Sequence, residues 1–96
     1  MMKEIRKTSQ FKKDFKRFSK DPKKVNLLYD IVLKLAKGEE IPPANKPHML
    51  SGEWQNFMEC HIGGDYLLIW YDKEVNVIKL VRLGSHSELF GKGKKR

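Results

Sequence analysis

The spacing of apolar residues changes from a helical period to a strand period near residue 53, and this change limits the fold more than any other feature. Before it, three phenylalanines at helical spacing follow Ser9, which we expect to cap a first helix. A second helix is predicted to start with Asp21 as its cap and Pro22 as its first residue, and to end at Gly38. Because the link between the helices is short, they should form an antiparallel hairpin.

After residue 53 the pattern predicts strands over residues 54–62, 66–71 and 75–83, separated by two short turns. Strands that are joined by such turns form an antiparallel meander. A further short strand is predicted over residues 2–8, and one helical turn is predicted over residues 85–91.

This order of elements predicts an α+β domain, β-α-α-β-β-β with a short C-terminal helical turn, in which the N-terminal helical hairpin packs on one face of an antiparallel β-sheet. The other face is expected to be uncovered and open to a ligand. The 96 residues allow one domain, predicted over residues 1–91, with a basic tail over residues 92–96. Residues 39–53 are rich in proline and predict a long loop, and such loops are often functional.

Composition excludes several classes of protein. Cys60 is the only cysteine, which rules out an internal disulfide framework and a cysteine-rich zinc module, so we expect it to be a small buried residue. The longest apolar run, residues 66–71, is too short to cross a bilayer, and the first residues lack the apolar stretch of a signal peptide. We therefore expect a soluble cytoplasmic protein.

The positive charge is concentrated in the predicted helices. Residues 1–38 contain twelve basic and four acidic side chains, a net charge of +8, whereas residues 39–96 contain eight of each and are neutral. A field of this kind favours encounter with polyanions such as RNA. A solvated helical face and an acidic protein partner remain alternatives.

Side chains suited to acid–base chemistry collect at the ends of the predicted elements in the second half of the chain. They are His48, His61, Asp65, Arg82 and His86, with Glu59 near them. Imidazole exchanges protons near neutral pH, and a guanidinium group binds phosphate, so this set suits cleavage of a phosphodiester by general acid–base catalysis. The ribose 2′-hydroxyl would be the nucleophile, and no metal would be required.

Two other interpretations of these residues are open at this point. Each histidine, taken alone, could be an ordinary surface or hydrogen-bonded residue. A metal site that combines the histidines with Cys60 is disfavoured, because Cys60 and His61 are adjacent on a predicted strand and point to opposite faces.

Three spaced motifs indicate a family. They are H-x-L-x-G-x-W over residues 48–54, H-x-x-x-D over residues 61–65 and R-x-G-x-H-x-x-L-F-G over residues 82–91. In this order they resemble the YafQ branch of the RelE-type toxins, in the RelE/ParE superfamily. The close resemblance covers about residues 46–91, and the first 40 residues match in architecture and in their basic, helix-forming character.

The resemblance implies a small RelE-like fold and a bacterial type II toxin. Such a toxin would be a metal-independent endoribonuclease that needs no cofactor and cleaves mRNA in the ribosomal A site. Its partners would be a cognate antitoxin, mRNA and ribosomal RNA, with DNA reached only through the antitoxin. The alternative is a catalytically inactive module of the same fold that binds RNA or an antitoxin.

The resemblance also implies a catalytic set. Its members are His48, His61, Asp65, Arg82, His86 and Phe90. His86 would be the general acid, and Asp65 with His48 or His61 would form the base side. Arg82 would stabilise the transition state, and Phe90 would hold the scissile nucleotide or His86 in place.

A second implied set would bind RNA and the ribosome. It comprises Lys12, Lys13, Lys16, Arg17, Lys20, Lys23, Lys24 and Tyr66. Three positions depart from the family pattern: Tyr66 replaces a usual tryptophan, Met58 stands where a basic residue is common, and Glu59 replaces a common aspartate. Codon preference could differ for this reason.

Overall fold

The computed structural model describes residues 2–91, so the predicted basic tail over residues 92–96 lies outside the described residues. The strands and α-helices, in chain order, are β1 (Glu4–Lys7), α1 (Ser9–Phe18), α2 (Pro22–Lys37), β2 (His48–Met49), β3 (Met58–Gly63), β4 (Tyr66–Tyr71), β5 (Val77–Ser85) and α3 (His86–Phe90). Two 3₁₀ turns, Pro43–Asn45 and Gly52–Trp54, lie in the long loop between α2 and β3. In the described part of the chain no helix is long and apolar enough to cross a bilayer.

The two long helices form as predicted, with one change of cap. Asp21 caps α2 by accepting a hydrogen bond from the backbone N–H of Lys23 at 3.1 Å, and Gly38 ends the helix in the left-handed conformation at φ 75°. Thr8, not Ser9, caps α1. The hydroxyl of Thr8 accepts from the N–H of Phe11 and donates to a carbonyl of β5 at 2.9 Å, so a tertiary contact selects the capping residue.

The five strands form one mixed sheet in the order β1-β5-β4-β3-β2. The meander β3-β4-β5 is antiparallel, as predicted, but β1 pairs with β5 in parallel. The expectation of a wholly antiparallel sheet is therefore wrong at this edge. The reason is that only short turns force neighbouring strands to run antiparallel, and the helical hairpin and the whole meander separate β1 from β5.

Two strands start later than predicted, because an asparagine interrupts the extended chain before each of them. Asn56 and Asn76 have φ angles of 79° and 59°, in the left-handed region. The segment before Asn56 therefore turns rather than pairs, and β3 begins at Met58. Likewise β5 begins at Val77, and it continues to Ser85.

Both faces of the sheet are covered, which corrects the expectation of an open face. The helical hairpin covers one face, where Trp70 and Cys60 are fully buried. On the opposite face a second cluster joins Leu67 and Ile69 of β4 to α3 and to aromatic residues of the loop before β3. The sequence analysis placed Trp54 and Phe57 in the strand predicted over residues 54–62, but they precede β3 and fold back onto the second face of the sheet. Burial raises the pKa of the Cys60 thiol to about 12, as fits a core residue.

Candidate active site

A cleft of about 530 Å³ lies between the long loop and α3, on the face opposite the helical hairpin. Its polar lining side chains include His48, Glu59 and His86, and its apolar ones include Trp54 and Phe90. The structure thus brings together three members of the predicted catalytic set, His48, His86 and Phe90. Sequence reasoning gave Glu59 no role.

His48 and Glu59 form a pair across β2 and β3, where they occupy directly opposed positions. His48 Nε2 lies 3.2 Å from Glu59 Oε1, and His48 Nδ1 lies 2.9 Å from the carbonyl oxygen of Lys46. A carbonyl only accepts, so Nδ1 is the nitrogen that donates to Lys46 and Nε2 is the one directed at Glu59. The imidazole and the carboxylate therefore form a paired set of acid–base groups at the edge of the cleft.

The Glu59 carboxylate is buried in the floor of the cleft. The residue is only 5% exposed, and its Oε2 atom has no hydrogen-bond partner among the described residues. A buried polar atom left unpaired costs about 1–3 kcal/mol. A ligand that donates a hydrogen bond to Oε2 would recover part of that energy, so the cleft favours a hydroxyl or amino group at this point.

His86 and Phe90 stand one turn apart on α3 and face the same cleft. Their ring centroids lie 5.0 Å apart, and Phe90 also makes an edge contact with Trp54 at 6.1 Å. A capping box fixes the start of this short helix: the Ser85 hydroxyl accepts from the N–H of Glu88, and the Glu88 carboxylate accepts from the N–H of Ser85. His86 is exposed but held on one side by an aromatic ring.

Three members of the predicted set, His61, Asp65 and Arg82, lie outside the lining of this cleft. His61 is partly buried on β3, two residues beyond Glu59, and its carbonyl oxygen accepts a hydrogen bond from the Asn45 side chain at 2.7 Å. Asp65 is exposed in the tight turn between β3 and β4. Their catalytic roles stay predictions.

Arg82 is held by a carboxylate that sequence reasoning missed. Its Nε donates to Asp14 Oδ2 at 2.8 Å and its Nη2 to Oδ1 at 3.4 Å, and Oδ2 also accepts from the N–H of Leu83 at 3.0 Å. Asp14 is 1% exposed. Burial acts to raise its pKa, but the hydrogen bonds from Arg82, Leu83 and Gln10 outweigh burial and lower the pKa from its usual value. The sequence did contain a signal for this buried role: Asp14 is the one carboxylate of α1, and it lies on the side of the helix that carries the phenylalanines.

The predicted RNA-binding residues are divided between two places. Arg17, Lys20, Lys24 and Tyr66 surround a small cavity of about 220 Å³ at the junction of the helices with the sheet. There the Lys24 ammonium lies 3.5 Å from the centroid of the Tyr66 ring, a cation–π contact. The remaining lysines of the set, at positions 12, 13, 16 and 23, are exposed on the helices.

No group of three or more histidine, cysteine, aspartate or glutamate side chains within residues 2–91 is arranged to hold a metal ion. The residues of the cleft provide acid–base groups and an aromatic wall, an arrangement that can bind a nucleotide and move protons.

Residues 3–91 match the family described as a bacterial toxin of type II toxin–antitoxin systems, YafQ. The mRNA interferase toxin YafQ of Escherichia coli K12 is 30% identical over 92 residues, which cover 95% of this chain and 99% of that protein. A metal-bound toxin from Helicobacter pylori is 42% identical, with a TM-score of 0.81; the match covers 93% of this chain and 100% of that one. A chain of the E. coli DinJ–YafQ toxin–antitoxin complex is 26% identical, with a TM-score of 0.76; the match covers 95% of this chain and 100% of that one.

Proposed function

The chain belongs to the YafQ family of bacterial toxins of type II toxin–antitoxin systems, and on this premise we propose that it is an endoribonuclease that cleaves mRNA on the ribosome. The observation that carries the proposal is the cleft that His86, in contact with Phe90, shares with the paired side chains of His48 and Glu59. A module that only bound RNA would not need acid–base groups on two sides of one cleft.

His86 is the general acid in this mechanism. The 2′-oxygen of the ribose attacks phosphorus as its proton leaves, and the bond from phosphorus to the 5′-oxygen breaks. His86 gives a proton to that leaving oxygen, so the products are a 2′,3′-cyclic phosphate and a 5′-hydroxyl. Contact with Phe90 fixes the ring of His86, and the same aromatic wall can hold the scissile nucleotide.

The base side is the pair of His48 and Glu59. The 2′-hydroxyl donates to this pair, and the unpaired Oε2 of Glu59 offers a buried acceptor for a ribose or base donor. Asp65 and His61 do not line the cleft, so their proposed role is limited to support of this side. Arg82 also lies outside the lining, and Asp14 engages its Nε and Nη2, so Nη1 is the nitrogen that it would offer to the phosphate.

The ribosome supplies the remaining substrate contacts. The exposed lysines of the helical hairpin bind ribosomal RNA, which accounts for the +8 charge of residues 1–38. Activity on translating ribosomes places the protein in the cytoplasm. A cognate antitoxin neutralises the toxin. The support for this part is the solved complex of the E. coli relative with its antitoxin, DinJ–YafQ.

The test is primer extension on a defined mRNA, with and without purified ribosomes. Wild type, His86→Ala and Ser87→Ala are compared; Ser87 is the exposed next residue on α3 and does not line the cleft. We expect codon-registered cuts that need ribosomes, a loss of at least about 100-fold in His86→Ala and near-normal rates in Ser87→Ala.

Each other outcome removes one part of the proposal. Equal cleavage of free RNA would remove the ribosome from the mechanism, and full activity of His86→Ala would overturn the assignment of the acid. The absence of cuts in every lane would favour the inactive binding module. Metal independence is tested on the same RNA with a chelator, with the magnesium requirement of ribosomes controlled separately, since a related H. pylori toxin is metal-bound.

A further inference from the structure

Arg17 belongs to the set that the family resemblance assigns to RNA binding, but its guanidinium group lies between two carboxylates. Its Nη2 lies 3.5 Å from Asp14 Oδ1, and its Nε lies 3.4 Å from Glu88 Oε2. Asp14 precedes Arg17 on α1 by about one helical turn, whereas Glu88 belongs to α3. Among the described residues, the contact with Glu88 is the one ion pair that joins α1 to α3.

Both oxygens of the Glu88 carboxylate are engaged. Oε2 faces Arg17, and Oε1 accepts a hydrogen bond from the backbone N–H of Ser85 at 2.8 Å, which is half of the capping box of α3. His86 is the first residue of this helix. The orientation that Arg17 imposes on Glu88 is therefore passed to the start of α3 and to the histidine that begins it.

The other carboxylate that Arg17 contacts is held rigidly. The Asp14 side chain is 0% exposed, and it is fixed against β5 by Arg82 and by the N–H of Leu83. An isolated surface ion pair contributes little, because solvent screens it and two flexible side chains must be ordered. Here both carboxylates are already held by other groups, so only the Arg17 side chain has to be ordered.

The charges around Arg17 do not favour a phosphate. Arg17 lines the cavity of about 220 Å³ at the junction of the helices with the sheet. The described lining of this cavity carries three basic side chains and three acidic ones: Arg17, Lys20 and Lys24, and Asp14, Asp21 and Glu88. A phosphate at Arg17 would have to displace two carboxylates and would lie near a third. The contacts of Arg17 therefore fit a structural partner of α3 better than a contact to RNA.

We propose that Arg17 is a positioning residue for cleavage: it holds Glu88 in the capping box and so keeps α3, with His86, in place at the cleft. The inference rests on the proposed function, in which His86 is the general acid. It gives Arg17 a different role from the one that the resemblance implies. Loss of the Arg17 guanidinium should then slow the reaction of the bound complex and leave the affinity for ribosomes unchanged.

Single-turnover cleavage on programmed ribosomes separates these two effects. The ribosome concentration is varied, which gives the rate at saturation and the half-saturating concentration. Because Arg17 is about half exposed, we expect Arg17→Gln to lower the rate at saturation by only about 3- to 10-fold, with the half-saturating concentration within about twofold of wild type. Lys73→Gln, the control, loses the same charge at an exposed lysine outside the predicted sites and should change neither quantity.

A double-mutant cycle tests whether Arg17 acts through Glu88. Glu88→Gln should slow cleavage on its own, since it weakens the cap of α3. Adding Arg17→Gln to Glu88→Gln should change the rate by less than about twofold, because the partner of Arg17 is already lost. Thermal unfolding of each variant checks that the fold is retained.

Hydrogen exchange of the Ser85 amide, followed by NMR, reports the same contact without any substrate. We expect this amide to exchange at least about threefold faster in Arg17→Gln, the size of effect that one partly exposed ion pair gives. In Lys20→Gln it should exchange at the wild-type rate. Lys20 lines the same cavity and loses the same charge, but makes no ion pair within residues 2–91.

The inference and the proposed function fail in different ways. A normal rate at saturation with a raised half-saturating concentration in Arg17→Gln would return Arg17 to RNA binding and overturn the inference alone. Additive effects of Arg17→Gln and Glu88→Gln, or an unchanged Ser85 amide, would also overturn it while wild-type cleavage stands. A wild type that cleaves no mRNA on ribosomes would overturn the proposed function, and the inference with it.

Discussion

At the scale of single residues, Asp14 connects three parts of the molecule. Strand β1 ends at Lys7, opposite Leu80, so β5 has no paired strand on its β1 side at Leu83, although β4 pairs with it on the other side. The Asp14 carboxylate, on α1, accepts from this N–H and also binds Arg82. One side chain therefore joins α1 to β5 and fixes a guanidinium group of the predicted site.

We expect Asp14→Asn to lower the free energy of unfolding at pH 7 by about 3 kcal/mol, because it leaves the Arg82 charge without its buried partner. The folded-state pKa of Asp14 lies below its unfolded-state value of about 4, so its stabilisation is present above that value and is lost as the pH falls through the folded-state pKa. Between pH 5 and pH 2 the wild type should therefore lose more stability than the variant. Urea denaturation across this range measures both effects.

The control for this experiment is Asp30→Asn, which removes an exposed carboxylate of α2. We expect it to change stability by less than about 0.5 kcal/mol. Equal unfolding free energies for Asp14→Asn and Asp30→Asn would contradict the role of Asp14.

At the scale of elements, α3 determines the position of His86, the proposed general acid. A helix of five residues is not stable alone, so its place depends on the capping box and on burial of Leu89 and Phe90. Gly84 allows this arrangement, since a Cβ added there would lie 2.8 Å from the Glu88 carboxylate and 3.4 Å from Leu89 Cδ2.

Gly84→Ala should therefore displace Glu88, break its hydrogen bond to the N–H of Ser85 and shift α3. We expect about 10- to 100-fold slower cleavage, because misplacement of a catalytic group by about 1 Å has effects of this size, with a loss of stability of about 1 kcal/mol. Single-turnover cleavage and thermal unfolding measure the two effects, with Ser87→Ala as the control in the same helix. Normal cleavage by Gly84→Ala would mean that the capping box does not position His86.

At the scale of the whole molecule, the sheet separates two surfaces to which the proposed function gives different tasks. The helical face carries the exposed lysines, whereas the opposite face carries the cleft with His86. If that function is correct, substitutions on the helical face change ribosome binding and substitutions in the cleft change mRNA cleavage, and salt should act mainly on ribosome binding.

The double variant Lys13→Gln/Lys16→Gln should bind ribosomes more weakly. The slope of log affinity against log salt should fall in magnitude by about 1.5, since each lost phosphate contact contributes about 0.7–0.9. The cleavage rate at saturating ribosomes should stay within about twofold of wild type. Filter binding at several salt concentrations measures the slope.

The control is the double variant Lys37→Gln/Lys73→Gln. It loses the same amount of positive charge as Lys13→Gln/Lys16→Gln, at two exposed lysines outside the predicted RNA-binding set. Its salt slope should stay close to that of wild type. The same loss of slope in both double variants would show that net charge, not the surface of α1, governs binding.

The sequence alone determined the features that depend on neighbours along the chain. Periodicity and local caps are short-range properties, so the hairpin of α1 and α2, the end of α2 at Gly38 and the meander β3-β4-β5 were predictable. The three spaced motifs likewise sufficed to predict the family. Only the tertiary structure decided which distant residues meet: the parallel pairing of β1 with β5, the binding of Arg82 by Asp14 and the pairing of His48 with Glu59. Register, burial and charge pairing across the fold select these contacts, and no local pattern records them.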